Sequence, residues 1–219
     1  MKTKILITAA TEKELFSVDT SDMAASFEFD TIVTGVGSVS TVYALMAYLH
    51  KNGRPDYIIN IGIAGSFTSE LALGDTMIVE SDCFADIGVE SQNGFLSAWE
   101  SGLMHSTEYP FEKGWIKCDS EIIRVLGDAI KSVKGITVNT VSGSEETIDR
   151  HINKYKPEIE TMEVAAALYV GRMENIPLIA LRSVSNMIEP RNRDAWDILS
   201  AIAALQPALE IILKKLGTK

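Results

Sequence analysis

Ile176-Pro177-Leu178-Ile179-Ala180-Leu181-Arg182-Ser183-Val184 is an apolar run with the length and content of a buried parallel strand. It gives way at once to polar residues, Ser185 and Asn186, then Glu189-Pro190-Arg191-Asn192-Arg193-Asp194 ahead of Trp196. In open α/β sheets ligands sit just beyond the carboxyl ends of the strands, so a site is expected here. Asn186 carries an amide, which donates and accepts at once and suits the edge of a heterocycle. Ser185 and Asn186 are also good turn formers, and a plain turn is the other reading of the pair.

Outward from this run, strands and helices alternate. Residues 4–10 read as the first strand, and Thr11 opens a helix with Glu14 in capping-box position. Residues 27–33 read as a second strand. Gly35-Val36-Gly37 turns into a helix carrying Val42, Leu45, Met46 and Leu49 on one side, ended by Pro55. Residues 57–61 form a short strand closing in Gly62-Ile63-Ala64-Gly65-Ser66, and 74–80 form another. Residues 84–115 read as an irregular excursion with short strands. A helix from Asp119 or Ser120 is expected to run to about 132, followed by a strand over 136–141 and a short helix over 147–153. Met162-Glu163 leads into an Ala-rich helix over 164–174. Asp194 is expected to cap a long last helix interrupted at Pro207. No repeat or linker shows, so residues 1–219 read as a single α/β domain.

The composition narrows the function. With 46% hydrophobic residues the chain can bury a substantial core, while 20 basic against 30 acidic residues give −10. That balance argues against nucleic acid or an anionic membrane as partner, since both need a basic face. It leaves room for a small anionic ligand held by one or two arginines. Cys83 and Cys118 show no CxxC pattern and read as reduced, intracellular thiols. The apolar start is too short for a signal peptide, and no stretch reads as a membrane span, so a cytoplasmic protein is expected.

Several strand ends carry groups fit for chemistry: Glu12 and Glu14, residues 62–66, residues 142–144, Glu163 and Asn186. The glycines do not form a dinucleotide fingerprint, because Gly35-Val36-Gly37 lacks the third glycine. Glu14 can act as a general base on water or serve only the capping box with Thr11. Glu163, where a strand gives way to a helix, can favour the helix dipole or accept from two vicinal ribose hydroxyls. His50, His105 and His151 show no metal spacing, and surface or satisfied roles are expected for them.

Taken together, Ala9-Ala10-Thr11-Glu12-Lys13-Glu14, Gly35-Val36-Gly37, Asn60-Ile61-Gly62-Ile63-Ala64-Gly65, Leu73-Gly74-Asp75, Ser142-Gly143, Thr161-Met162-Glu163-Val164-Ala165-Ala166 and Arg182-Ser183-Val184-Ser185-Asn186 stand in a telling order. It resembles that of the purine nucleoside phosphorylase/uridine phosphorylase superfamily, with the methylthioadenosine/adenosylhomocysteine nucleosidase branch as the general template. Ser185-Asn186 followed by residues 189–196 is similar, more particularly, to the futalosine hydrolases. The resemblance implies a three-layer α/β/α fold with a central twisted mixed sheet, and a homo-oligomer, dimer or larger. It implies cleavage of the N-glycosidic bond of a small nucleoside through an oxocarbenium-like transition state, with no metal or organic cofactor, on a route toward menaquinone. By position, Glu14 resembles the base that activates water and Glu163 the residue that grips the ribose hydroxyls, with Met162 packing on the sugar. Ile63, Ser144 and Ser185 complete the residues expected to face substrate.

Asn186 falls where the adenine-releasing branch carries an aspartate that protonates the base. An asparagine cannot transfer that proton, but its NH2 can donate to a 6-oxo group and N7, and its carbonyl can accept from N1–H or N7–H. Hypoxanthine therefore fits better than adenine, because a mismatched polar edge leaves buried groups unpaired at ~1–3 kcal/mol each. Related phosphorylases hold phosphate with an arginine before the Gly-x-x-Gly turn. Asn60 stands there instead, which favours water as the nucleophile. Two features depart from the template. No purine-stacking aromatic follows Ser142-Gly143, and the loop over 189–193 is longer and more charged. Arg191 or Arg193 is expected to meet a carboxylate on the substrate, the alternative being surface pairing with Glu189 or Asp194. Hydrolysis of futalosine to hypoxanthine is the leading expectation. A methylthioadenosine/adenosylhomocysteine nucleosidase and a silent nucleoside-binding protein are the alternatives.

Overall fold

β-Branched and leucine-rich runs with few charges form the middle of the sheet, because only strands buried on both faces can be apolar throughout. A computed structural model describes residues 2–92, 94–190 and 192–217. In chain order the elements are β1 (Thr3–Ala9), α1 (Glu12–Leu15), β2 (Phe27–Val33), α2 (Ser38–Asn52), β3 (Tyr57–Ser66), β4 (Thr76–Asp82), β5 (Gly88–Ser91) and β6 (Gly94–Ser97). Then come β7 (Ile116–Lys117), α3 (Ser120–Leu126), β8 (Lys131–Thr137), α4 (Glu145–Tyr155), β9 (Ile159–Thr161), α5 (Val164–Met173), β10 (Leu178–Met187) and α6 (Ile198–Gly217).

The sheet turns on β3. Its first half pairs in parallel with β1, which pairs in turn with β2. Along its other edge β3 pairs in parallel with β10, from Ile58 to Ser66. Its last residues, Gly65 and Ser66, pair antiparallel with β9. β10 continues antiparallel to β4, β4 parallel to β8, and β8 parallel to β9. The strands β3, β10, β4, β8 and β9 therefore close on themselves, and their carboxyl ends crowd together. α5 and α6 pack on the strands, with α2 against α5 and α3 against α6, completing the α/β/α layering around a mixed sheet. The alanines Ala165, Ala166 and Ala167 are fully buried, and their small side chains let α5 approach closely.

Several boundaries differ from the sequence expectation. β3 runs straight through residues 62–66 instead of turning, since Gly65 and Ser66 gain partners in both β9 and β10. β10 likewise continues through Ser185 and Asn186, passing a bulge between Val184 and Asn186. α3 stops at Leu126, where Gly127 takes a positive φ of 52°, and residues 131–137 join the sheet as β8. Met46 faces outward on α2, whose buried residues are Thr41, Leu45 and Tyr48. α6 passes unbroken through Pro207, and Asp197, not Asp194, accepts from the Ser200 N–H at its start, at 3.0 Å. The segment Arg193–Gly217 is long and apolar enough to cross a membrane, contrary to the expectation from sequence. Its inner face, Ala201, Leu205, Leu209, Ile212 and Leu213, is buried in the core. Cys83 and Cys118 are free and buried.

Candidate active site

The converging strand ends enclose a cleft of about 220 Å³. Ala10, Thr11 and Glu14 reach it from the end of β1 and from α1. Val36 comes from the turn before α2, and Ile63, Ala64 and Gly65 from β3. Val141 and Ser142 enter ahead of α4, residues 160–163 from β9 and the start of α5, and Ser185, Asn186 and Ile188 from β10, with Trp196 beyond it.

Glu14 completes the capping box and also faces the cleft. Thr11 caps α1 and accepts from the Glu14 N–H, while Glu14 Oε2 accepts from the Thr11 N–H at 2.9 Å and the Thr11 hydroxyl at 2.6 Å. The other oxygen, Oε1, accepts from the Ile63 N–H at 3.2 Å and keeps a lone pair for the cleft. The capping box thus orients the carboxylate. Gly62 allows the arrangement, since a Cβ there would stand 3.1 Å from Glu14 Oε1 and 3.4 Å from Arg182 Cζ.

Arg182 lies beneath these groups, 1% exposed. Its guanidinium donates to Asn60 O at 3.0 Å, Leu181 O at 2.9 Å and Asn60 Oδ1 at 2.6 Å. Asn60 is itself buried and donates to the Thr8 hydroxyl at 2.9 Å, so it braces the arginine and does not face the cleft. Glu163 Oε1 accepts from the Gly37 N–H at 2.9 Å. Gly37 adopts φ 89°, a conformation that favours glycine. Burial raises the Glu163 pKa, and the nearby Glu14 adds to the rise. The charge of Arg182 and the Gly37 N–H oppose it. Asp82, fully buried behind the site, is pushed up to about 8 by burial, against the pull of the Thr137 hydroxyl and Arg182.

On the opposite side, Asn186 is fixed by its neighbours. Its Oδ1 accepts from the Ser185 hydroxyl at 2.9 Å, and its Nδ2 donates to Met187 O at 3.1 Å. One N–H and one lone pair of the amide are left over. Glu160 lies on the far wall, 5% exposed, and accepts from the Ser142 N–H at 2.8 Å and the Ser142 hydroxyl at 2.5 Å. His151 Nδ1 lies 3.0 Å from that hydroxyl, and the ring is buried, whereas His50 and His105 are exposed. Trp196, Val36, Val141 and Ile188 supply apolar walls.

Of the residues expected to face substrate, Glu14, Ile63, Met162, Glu163, Ser185 and Asn186 meet in this cleft. Ser144 does not line it. It caps α4, accepting from the Thr147 N–H at 3.3 Å, in a separate hollow with Arg150 and His151. Arg193 is exposed in a 3-10 turn, Arg193–Ala195, outside the cleft lining. Arg191 lies outside the described residues. Sequence reasoning missed Glu160 and Trp196. Trp196 is the aromatic side chain among the described lining residues, at a place where a flat base needs a stacking surface.

Comparison with known proteins identifies relatives of the chain. The futalosine hydrolase of Streptomyces coelicolor is 31% identical over 191 residues, 83% of this chain and 77% of that protein. The futalosine hydrolase structure from Helicobacter pylori superposes with a TM-score of 0.80 at 14% identity, covering 97% and 98% of the two chains. The 5′-methylthioadenosine/S-adenosylhomocysteine nucleosidase of Helicobacter pylori, solved with butyl-thio-DADMe-Immucillin-A, gives 0.82 at 14% identity, covering 98% and 99%. At such low identities the two structures establish the fold alone. The family profile of the phosphorylase superfamily matches residues 31–216, and with the sequence relative spanning most of its length, the chain belongs to that superfamily.

Proposed function

We infer that the chain is a hydrolase acting on N-glycosyl bonds, which cleaves futalosine to hypoxanthine and dehypoxanthine futalosine. The observation that carries the reading is the makeup of the cleft. Glu14 and Glu163 face it together with the amide of Asn186, and its described lining residues include no lysine or arginine. A phosphate nucleophile would need a cationic clamp, and water needs only a base. The sequence relative named futalosine hydrolase supports the choice of substrate.

In the reaction, Glu14 Oε1 takes a proton from water as its oxygen bonds to the anomeric carbon. The electron pair of the breaking glycosidic bond leaves with the purine, and the proton that water gave to Glu14 balances the one the released base takes up, so that water, split into hydroxyl and proton, is the sole co-reactant. Positive charge builds on the ribosyl ring, and Glu14 and Glu163 lie where it is stabilised in a water-poor site. Glu163, held by the Gly37 N–H, accepts from the ribose hydroxyls, and Met162 packs on the sugar. Arg182 favours the ionised form of Glu163, which must accept and not donate. Asn186 meets the 6-oxo edge of the base, while Trp196 offers a stacking surface. Arg193, and Arg191 beside it in sequence, serve the carboxylate at the far end of the substrate.

The proposal extends to a cytoplasmic homo-oligomer acting toward menaquinone. Val39 and Tyr43 on α2, 82% and 76% exposed near the cleft residue Val36, support an assembly face beside the site. Incubation with futalosine, inosine and methylthioadenosine, with and without phosphate, tests the reading by the base released. Hypoxanthine from futalosine, independent of phosphate, is expected. Adenine as the dominant product, or a requirement for phosphate, would overturn it.

A further inference from the structure

We propose that Glu160 is a specificity-determining residue, which with Asn186 reads the purine edge from two sides. The inference rests on the 6-oxopurine reading above and names a second residue that enforces it.

The strand register sets the geometry. Asn186 of β10 pairs with Gly65 of β3, and Gly65 pairs with Glu160 of β9, so the three form one row across adjacent strands. Side chains in register share a face of the sheet, and two strand spacings separate the outer pair by about 9.5 Å at the backbone. Gly65 between them has no side chain. A Cβ there would stand 3.1 Å from Asn186 Nδ2 and 2.8 Å from Ile188 Cγ1. The row is thus a slot floored by glycine, with an amide at one end and a carboxylate at the other, and all three residues line the cleft.

The chemistry of the carboxylate end is specific. Ser142 has a single hydroxyl hydrogen, and it is donated to Glu160 Oε2. His151 Nδ1 therefore donates to the same oxygen of Ser142, closing a chain of donors that all point toward Glu160. Each Glu160 oxygen accepts one bond from Ser142 and keeps a further lone pair. Held in this way, the group can accept but has nothing to donate. Hypoxanthine carries N–H at N1, which such a group satisfies. Adenine carries a bare lone pair at N1, which it repels. Asn186, held by Ser185 and Met187 O, meets the 6-oxo and N7 edge, so the discrimination at N1 falls on Glu160.

The test measures kcat/KM of the unchanged chain and of Glu160→Gln with futalosine and with methylthioadenosine. The introduced amide can donate to a bare N1, so futalosine cleavage should fall at least about 10-fold while methylthioadenosine cleavage holds or rises. An equal loss on both substrates would show that Glu160 only braces Ser142 and His151, and would overturn the proposal, as would no loss at all. A second measurement needs no variant. Hypoxanthine should inhibit the unchanged chain at least about 10-fold more tightly than 1-methylhypoxanthine, which lacks the N1 hydrogen, and equal inhibition would overturn the proposal. Hypoxanthine release with no N1 discrimination sinks the role of Glu160 alone. Adenine release in preference to hypoxanthine sinks the 6-oxopurine reading with it.

Discussion

Replacing Arg182 by methionine removes the cation that lies beneath the carboxylates of Glu14 and Glu163 and near the buried Asp82, each of which is coupled to its charge. The arginine is 1% exposed and makes hydrogen bonds to Asn60 O, Asn60 Oδ1 and Leu181 O. Methionine fills much of the volume but leaves those acceptors unpaired and the carboxylates uncompensated. Breaking a buried ionic arrangement from one side costs about 3–5 kcal/mol. For a chain of this size each kcal/mol lowers the melting temperature by about 2–4 °C, so a fall of about 6–20 °C is expected. The Glu163 pKa, already raised by burial, should rise further once Arg182 no longer opposes it. A protonated Glu163 donates where it should accept from ribose, so KM for futalosine should increase at neutral pH and recover as pH rises. Thermal melting and KM measured across pH 6–9, at about one-unit steps, check both effects. Arg182→Lys keeps the charge without the planar fork and should fall between the two. A melting temperature within about 2 °C of the unchanged chain, together with an unshifted KM profile, would refute the electrostatic role given to Arg182.

Three further outcomes are expected. Asp82, held up to about 8 by burial, keeps its proton in the folded chain, whereas the unfolded chain has lost it above about 4. The unfolded state then binds fewer protons, so stability falls as pH rises from about 4 to 8, by at most about 1.4 kcal/mol per pH unit from this group. Asp82→Asn, which retains an acceptor for the Thr137 hydroxyl at 2.8 Å, should flatten that slope in urea melts, and an unaltered slope would clear Asp82. Asn186→Asp removes the N–H that faces a 6-oxo group and should lower kcat/KM for futalosine about 10-fold to 100-fold; unchanged turnover would remove Asn186 from base recognition. Arg191→Ala and Arg193→Ala should each raise KM for futalosine more than for inosine, which lacks the distal carboxylate, and equal KM values would assign both arginines to the solvent.

Much of the site was legible because it is written locally. Thr11 and Glu14 are one helical turn apart, so the capping pattern that suggested a structural role also reports the geometry that aims the carboxylate. The apolar run before Asn186 announced a buried strand, and its polar end announced a cleft. The strand ends at β3 and β10 were harder. Glycine and serine read as turn formers, yet residues 62–66 stay extended because closure of the barrel-like ring gives them partners on both edges. Ser144 was misplaced for the reverse reason: a serine three residues before Thr147 is an excellent helix cap, and that local bond turns it away from the cleft.

Glu160 could not be read from sequence, since its position depends on a pairing with Gly65 that only the folded sheet creates. The same pairing gives the bulge at Ser185 a function. A bulge re-aims the strand residue that follows it. Were the strand to pair without the bulge, Ser185 would stand opposite Gly65 and Asn186 opposite Ser66, with its amide on the other face of β10. With it, Asn186 shares a row with Gly65 and Glu160. The polar ends of three strands distant in sequence thus line one edge of the cleft. Ser185→Ala keeps the bulge and the register and removes only the hydroxyl that steadies the amide, so it should raise KM for futalosine without abolishing cleavage, and an unchanged KM would show that this hydrogen bond does not position Asn186.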